Sequence, residues 1–224
     1  LVAATGAGVD EDVALAFPVG PTPVRAGPPG PPDRTGVDTT VALLAEHPRP
    51  FGLEAPETFE PAPNPNPARF RRLYAVRSRA IDVFVDDLVG YHAGDPDWDE
   101  ETWAHYTELP EDPRYAALAD RILASLLPEE LRGEPAARAF AISHWLGKRG
   151  TYSLKSGHAD AEDPTAHFLF GDLTGYCVHF AHAAAALLRA AGLPARVATG
   201  YAAPEANRRG GSALVLTSAE AHAW

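Results

Sequence analysis

Residues 175–194 read GYCVHFAHAAAALLRAAGLP and contain the single cysteine of the chain, Cys177. The pattern predicts a helix from Cys177 to Ala191, with Gly192 as a left-handed cap. The segment has almost no charge before Arg189. We therefore expect this helix to be buried on nearly all sides.

A cysteine at such a helix start has two interpretations. A helix N-terminus with unpaired backbone donors stabilises a thiolate, and so does a neighbouring imidazolium. Gly175 and Tyr176 are expected to turn the chain into the helix, which places Cys177 in its first turn. A lone cysteine on an apolar helix is also commonly a small buried hydrophobic residue. Spacing alone leaves both interpretations open.

Three histidines are candidate partners for the thiol. His179 and His182 point roughly 200° and 140° away from Cys177, at about 100° per residue of helix. His222, in the terminal EAHAW, is expected on a strand beside Val197–Tyr201, in a sheet that packs on the helix. From there its imidazole could reach the sulfur as a general base and acid.

Composition excludes several classes of protein. The net charge of −11 argues against nucleic acid or an anionic membrane as the main partner. No run of about 18 apolar residues is present, so a membrane association would have to come from segments outside this chain. The chain starts at Leu1, has no methionine and ends on His-Ala-Trp. We interpret it as a piece of a longer protein.

The chain is expected to have three parts. Fourteen of the 22 prolines lie in residues 1–67, which we interpret as a proline-rich extension or linker. Within it, Val13–Phe17 alternates like a strand and Thr39–His47 resembles a short helix. Residues 68–105 are a less defined N-terminal part of the domain, and residues 106–224 are its core.

The core pattern predicts an α+β fold. Asp112 and Pro113 predict a helix start, with core positions at Tyr115, Leu118, Ile122 and Leu126. Pro135 starts a second helix, with Phe140, Ala141, His144 and Trp145 on one face. Two strand-like segments, ARVATGY and SALVLT, follow the cysteine helix. Between Arg69 and Val89, alternation at Tyr74, Val76 and Ser78, and then at Ile81, Val83 and Val85, favours strand.

Metal and cofactor sites are not expected. Asp95, Asp97 and Asp99 alternate, but the glycine and the glutamate of a calcium loop are missing, so a solvated acidic loop is favoured. Cys177, His179 and His182 lie on divergent helix faces, which argues against zinc. Trp98, Trp103, Trp145 and Trp224 are expected to be packing residues.

Residues 163–201, DPTAHFLFGDLTGYCVHFAHAAAALLRAAGLPARVATGY, and the later EAHAW resemble the bacterial transglutaminase-like family, which has a papain-like cysteine-protease fold. The shared features are the aspartate and Phe-Leu-Phe before the cysteine, the Gly-aromatic-Cys-x-His turn, the Leu-Pro-Ala-Arg helix exit and the His-Ala-Trp strand. The likeness covers about residues 106–224. It implies a cysteine helix packed on an antiparallel sheet, in a core that is incomplete at its C-terminus.

The resemblance implies that Cys177 is the nucleophile and His222 its base. The third residue of the family's catalytic triad is an aspartate one strand further on, and it is expected beyond Trp224. The Cys177 amide is expected to contribute to an oxyanion hole. The implied reaction is acyl transfer from a glutamine side chain or peptide amide of a protein substrate. Hydrolysis by a protease or amidase and a catalytically inactive peptide-binding domain are the alternatives. Family members are often extracytoplasmic domains of bacterial membrane proteins, which we expect here, with a cytoplasmic location as the alternative.

Overall fold

The structure, a computed structural model, describes residues 2–3, 17, 24–25, 34–53, 55–81 and 84–224. Its strands are β1 (Val2–Ala3), β2 (Val24–Arg25), β3 (Arg34–Leu43), β4 (Phe51–Gly52), β5 (Pro56–Pro61), β6 (Arg72–Ile81), β7 (Thr151–Tyr152), β8 (Thr174–Gly175), β9 (Thr199–Tyr201) and β10 (Ala221–Ala223). Its α-helices are α1 (Glu100–Thr107), α2 (Pro113–Leu126), α3 (Pro135–Arg149), α4 (Pro164–Leu169) and α5 (Cys177–Ala190). The chain forms two compact units, Leu1–Val83 with Thr199–Ala221, and Phe84–Ala198 with His222–Trp224.

The first unit is built on an antiparallel sheet with the strand order β2-β5-β6-β3. In β6 the buried residues are Tyr74, Val76 and Ser78, so the predicted alternation is confirmed there. Phe59 of β5 packs with Tyr74 and Val76 in one apolar cluster. The same unit pairs β1 with both β4 and β9.

Tyr74 of β6 makes a hydrogen bond to the backbone of β4, which follows β3 in the chain. Its hydroxyl accepts the backbone N–H of Phe51 at 2.7 Å, and both residues are buried. Burial raises the pKa of Tyr74 to about 12. The phenol therefore stays protonated at neutral pH and satisfies a backbone donor that water cannot reach.

Several predictions for the first unit were wrong. The expected helix at Thr39–His47 is mostly strand, because Arg34–Leu43 pairs along its whole length with β6. Residues 34–61, assigned from sequence to a proline-rich extension, contribute three strands, with Pro56 and Pro61 at the ends of β5. Val85 belongs to a 3₁₀ turn rather than a strand. Residues 13–16 of the predicted strand Val13–Phe17, and Val83, lie outside the described residues.

The second unit has a helical core around α5. Buried side chains of α2, α3, α4 and α5 form one cluster: Tyr115, Leu118, Ala119, Ile122, Leu123, Ala141, Ile142, Leu146, Ala166, Phe168, Leu169, Ala183 and Leu187. The predicted start of α2 is confirmed, since Asp112 accepts the N–H of Arg114 at 2.9 Å and Pro113 is the first helical residue. The expected α+β class, with Cys177 on a helix, is confirmed.

The end of α5 also follows the sequence prediction. Gly192 has φ +74°, its N–H donates to the Arg189 carbonyl, and the Leu193 N–H donates to the Leu188 carbonyl at 2.9 Å. This pair of bonds is a Schellman motif. The guanidinium of Arg138 on α3 donates to the carbonyl of Ala191 at 2.6 Å, so another terminal carbonyl is satisfied from a neighbouring helix.

Three predictions for the rest of the chain were wrong: the core positions of Leu126 and Phe140, and the strand at residues 212–217. Leu126 is 43% exposed and Phe140 is 55% exposed, whereas Ile142 and Leu146 supply the core face of α3. Residues 212–217, SALVLT, contain a single bridge between Arg208 and Leu214 instead of a strand.

Leu187→Ala should lower the free energy of unfolding by about 2–5 kcal/mol, because it leaves a cavity at a fully buried site of the α5 core. Leu126→Ala is the matched control on α2 and should cost less than about 1 kcal/mol, because that side chain is exposed. Urea titration of both variants checks this. Equal losses would contradict the assigned core.

Candidate functional site

Cys177 is the first residue of α5, and its thiol is free and half-buried. The leading N–H groups of a helix have no partners within the helix, and their dipoles favour a negative charge. The predicted position of the cysteine in the first turn is therefore confirmed. The fold places the sulfur where a thiolate would be stabilised by backbone donors.

The turn that leads to Cys177 is held by a two-stranded parallel sheet. The Thr151 N–H donates to the Leu173 carbonyl at 2.9 Å, and the Ser153 N–H donates to the Gly175 carbonyl at 2.7 Å. Leu173 has φ +54°, a left-handed conformation that is uncommon for a non-glycine residue. The backbone just before the cysteine is thus held in one unusual conformation by hydrogen bonds.

Asp172 closes the same turn. Its carboxylate accepts the Thr174 N–H at 2.9 Å, and this bond lowers the pKa of Asp172. The aspartate therefore remains ionised and holds the turn at neutral pH. Asp172 is therefore a structural residue of the turn before Cys177.

His179 completes the helix start. Its Nδ1 accepts the Tyr176 N–H at 3.2 Å, which assigns the ring proton to Nε2 when the imidazole is neutral. Desolvation, with a smaller contribution from His158, lowers the pKa of His179. A neutral ring is the form that can accept this hydrogen bond. His179 is therefore a capping residue of α5.

Gly175 is required by the position of that ring. A Cβ atom at residue 175 would lie 2.9 Å from Cγ and Nδ1 of His179, closer than side-chain carbons approach other atoms. Gly175 is also buried. The glycine and the histidine of the Gly-Tyr-Cys-Val-His sequence are therefore two parts of one packing contact.

His158 and His167 were not identified as site residues from the sequence. His158 lies in the loop before α4 and is 4% exposed; its Nε2 is 2.7 Å from the Thr174 carbonyl. Its Nδ1 is 2.7 Å from Nδ1 of the exposed His167 on α4. The rings of His158 and His179 are 4.9 Å apart. Because His158, His167 and His179 come from different segments, no periodic pattern in the sequence indicates that they form a cluster.

His222 lies on β10 and is exposed. The backbones of Ala198 and Trp224 exchange two hydrogen bonds of 2.7 and 3.0 Å, so the predicted pairing beside residues 197–201 is confirmed. The indole of Trp224 stacks on the His222 imidazole at 5.7 Å, and this contact restricts the ring. The partnership of His222 with Cys177 stays a prediction.

The acidic loop has structural roles. The Asp99 carboxylate accepts the Thr102 N–H at 2.8 Å as the N-cap of α1, and Asp95 accepts the Asp97 N–H at 3.0 Å. Among the residues described, no three His, Cys, Asp or Glu side chains are arranged to hold a metal ion. Trp98 stacks on Tyr106 with ring centres 5.0 Å apart. No helix in the described ranges has the length and apolar character needed to cross a membrane.

Comparison with known proteins assigns a family to the C-terminal segment that contains Cys177. Residues 117–224 match the Transglutaminase-like superfamily. A protein-glutamine gamma-glutamyltransferase of Pseudomonas aeruginosa is 37% identical over 114 residues, and protein YebA of Bacillus subtilis is 42% identical over 90 residues. These alignments cover 50% and 38% of this chain, but only 16% and 12% of the relatives.

Among solved structures, the periplasmic domain of TgpA from P. aeruginosa overlaps with a TM-score of 0.47 and 29% identity, over 70% of this chain and 51% of that one. Our assignment rests on the family match and the cysteine motif rather than on this overlap. The segment 117–224 is a transglutaminase-like core. Enzymes are found among the proteins it resembles.

Gly175→Ala should lower the free energy of unfolding by about 1–3 kcal/mol, because the added methyl group overlaps the His179 ring. Gly157→Ala is the control, since a Cβ atom there meets no other atom within 4 Å. Thermal and urea unfolding of both variants test the contact. Equal stability of the two variants would contradict it.

Folding stability should fall with decreasing pH in part through His179. The unfolded chain binds a proton near the ordinary value of 6.5, whereas the folded chain binds it only at lower pH. This contribution to stability is complete above that value and is lost as the pH falls toward the lowered pKa. His179→Gln, which keeps an acceptor but does not titrate, should show a shallower decline in urea titrations across this range. Parallel pH profiles for the two proteins would be evidence against the assignment.

Proposed function

We propose that the transglutaminase-like core is a thiol acyltransferase with Cys177 as the nucleophile and His222 as its general base. The observation that carries the proposal is the position of Cys177 at the first residue of α5, in a segment that belongs to this superfamily. The hydrogen-bonded turn of residues 171–176 supports it, because a nucleophile requires a fixed backbone. The stacked position of His222 on Trp224 is consistent with an oriented base.

In the first step the thiolate of Cys177 attacks the carbonyl carbon of an amide. The C–N bond then breaks, His222 gives a proton to the leaving nitrogen, and a thioester remains on the enzyme. An amine next attacks the thioester carbon and releases the thiolate, while His222 accepts the proton of that amine. The Cys177 N–H, at the helix start, is suited to hydrogen-bond the oxyanion formed in both steps.

The proposed acyl donor is the side-chain amide of a protein-bound glutamine. Support comes from the 37% identity with the P. aeruginosa protein-glutamine gamma-glutamyltransferase over this core. The family resemblance implies an aspartate, one strand beyond His222, that orients the imidazole, so we propose the tests on the full-length protein. Such an aspartate fixes the tautomer and orientation of a catalytic imidazole.

We also propose an extracytoplasmic location for this domain, as part of a bacterial membrane protein. The support is the resemblance of residues 106–224 to a family whose members are often extracytoplasmic domains of bacterial membrane proteins. A reporter fusion that is active only in the cytoplasm would contradict it.

The activation of Cys177 can be measured by alkylation. Iodoacetamide should modify Cys177 much faster near neutral pH than it modifies an unstructured cysteine peptide, because an imidazolium partner and the helix start stabilise the thiolate. His222→Ala should abolish this excess reactivity and lower amine incorporation by about 10²- to 10⁴-fold. His144→Ala, at an exposed histidine of α3, is the control and should change neither rate.

The fate of the thioester is tested with a glutamine peptide and a fluorescent primary amine. Acyl transfer predicts an amide-linked product that Cys177→Ala eliminates. Release of glutamate-containing peptide without incorporation of the amine would establish hydrolysis instead. Neither product, together with ordinary thiol reactivity, would indicate a binding domain.

A further inference from the structure

The buried imidazole of His158 is unusual in this chain. Among the described residues, His158 is the buried histidine, with 4% of its surface exposed. A buried polar group is destabilising unless its hydrogen bonds are satisfied. Both ring nitrogens of His158 have partners at 2.7 Å, on Thr174 and His167. The environment therefore specifies how this ring is oriented and protonated.

The partners determine the proton positions. The Thr174 carbonyl can only accept, so Nε2 of His158 carries a proton. One proton occupies the short contact between the two Nδ1 atoms, whether it belongs to His167 or to His158. The His158–His167 pair therefore holds at most one positive charge. In either state, Nε2–H of His158 still donates to Thr174.

This bond occupies the edge of β8 that faces away from β7. Successive carbonyls of an extended strand point to opposite edges. The Leu173 carbonyl accepts from Thr151 of β7, and the Gly175 carbonyl accepts from Ser153, which directly follows β7. The carbonyl of Thr174 between them accepts from His158. His158 thus takes the place that a third strand would occupy. Together with β7, it holds the turn on both sides.

His158 also supports the cap of α5. Its ring packs edge-to-face against His179, which accepts the Tyr176 N–H directly before the nucleophile. Phe168 of the core lies 5.6 Å from the His158 ring and 5.8 Å from the His179 ring. Two imidazoles in contact therefore bind the backbone at residues 174 and 176.

We propose that His158, oriented by His167, is a positioning residue for the Cys177 nucleophile. Its Nε2–H secures the Thr174 carbonyl and so sets the direction in which the chain enters α5. The inference rests on the proposed function, because it assigns to His158 the alignment of Cys177 with its base and acyl donor. Misplacement of a reacting group by about 1 Å can reduce a rate on the order of 10²-fold.

The test compares His158→Phe with His158→Gln in the full-length protein. Phenylalanine fills the aromatic site but has no donor, whereas the glutamine amide can place an N–H near the position of Nε2. We expect His158→Phe to lower kcat for amine incorporation and the Cys177 alkylation rate by roughly 10²-fold. KM for the glutamine peptide should remain within about threefold, and His158→Gln should recover most of the lost rate.

NMR of the wild-type protein provides a readout that does not depend on folding of either variant. We expect ¹⁵N spectra to show His158 protonated at Nε2, with a scalar coupling across the hydrogen bond to the Thr174 carbonyl. An unprotonated Nε2 would overturn the inference.

The kinetic outcomes separate this inference from the proposed function. If the wild-type thiol is activated and His158→Phe has the same rates as the wild type, the role of His158 is overturned but the proposed function is not. Equally low rates in the glutamine and phenylalanine variants would also overturn it, because the donor would not matter. Ordinary reactivity of the wild-type thiol would overturn the proposed function and this inference with it.

Discussion

Hydrogen bonding of the six-residue turn before α5 is the constraint on which the candidate site depends. The turn takes a left-handed residue at Leu173 and then an extended step into the helix. Such a backbone is costly unless its polar groups are paired, and here they are paired by Asp172, β7, His158 and His179. The helix behind it is itself fixed, because α5 is packed among α2, α3 and α4 in a common apolar core. Cys177 is therefore held at the junction of two rigid elements.

The same arrangement explains the composition of the motif around the cysteine. Gly175 is needed because the His179 ring occupies the space that a side chain would fill. His179 is needed as the acceptor for Tyr176, and burial keeps it in the neutral form that can accept. Each of these residues contributes to holding the thiol, although only the cysteine is proposed to react.

The two imidazoles that contact the backbone of the turn have opposite hydrogen-bonding roles. His158 donates to Thr174 in both charge states that its contact with His167 allows. His179 loses its role as an acceptor once its Nδ1 is protonated. The turn is therefore held by one imidazole that donates a hydrogen bond and by another that accepts one.

Local sequence signals determined the helices and their ends. Asp112 with Pro113 starts α2, Gly192 closes α5, and the apolar period identifies the cysteine helix, because caps and periodicity depend on neighbouring residues alone. The motif around Cys177 also led from the sequence to the transglutaminase-like family, which the match of residues 117–224 confirms. Short-range information was sufficient for these features.

Other features were decided only by the tertiary structure. The helix expected over Thr39–His47 is a strand as far as Leu43, because this segment pairs with β6 along its length and the β-branched Thr39, Thr40 and Val41 suit a strand. The exposed position of Phe140 depended on which face of α3 meets the other helices. His158 and His167 come together with Thr174 only after the loop, α4 and the turn have packed. The sequence by itself determined the helix that carries Cys177 and the position of the cysteine at its start. The tertiary structure decided which side chains hold that helix start in place, because hydrogen bonds between distant segments have no period in the sequence.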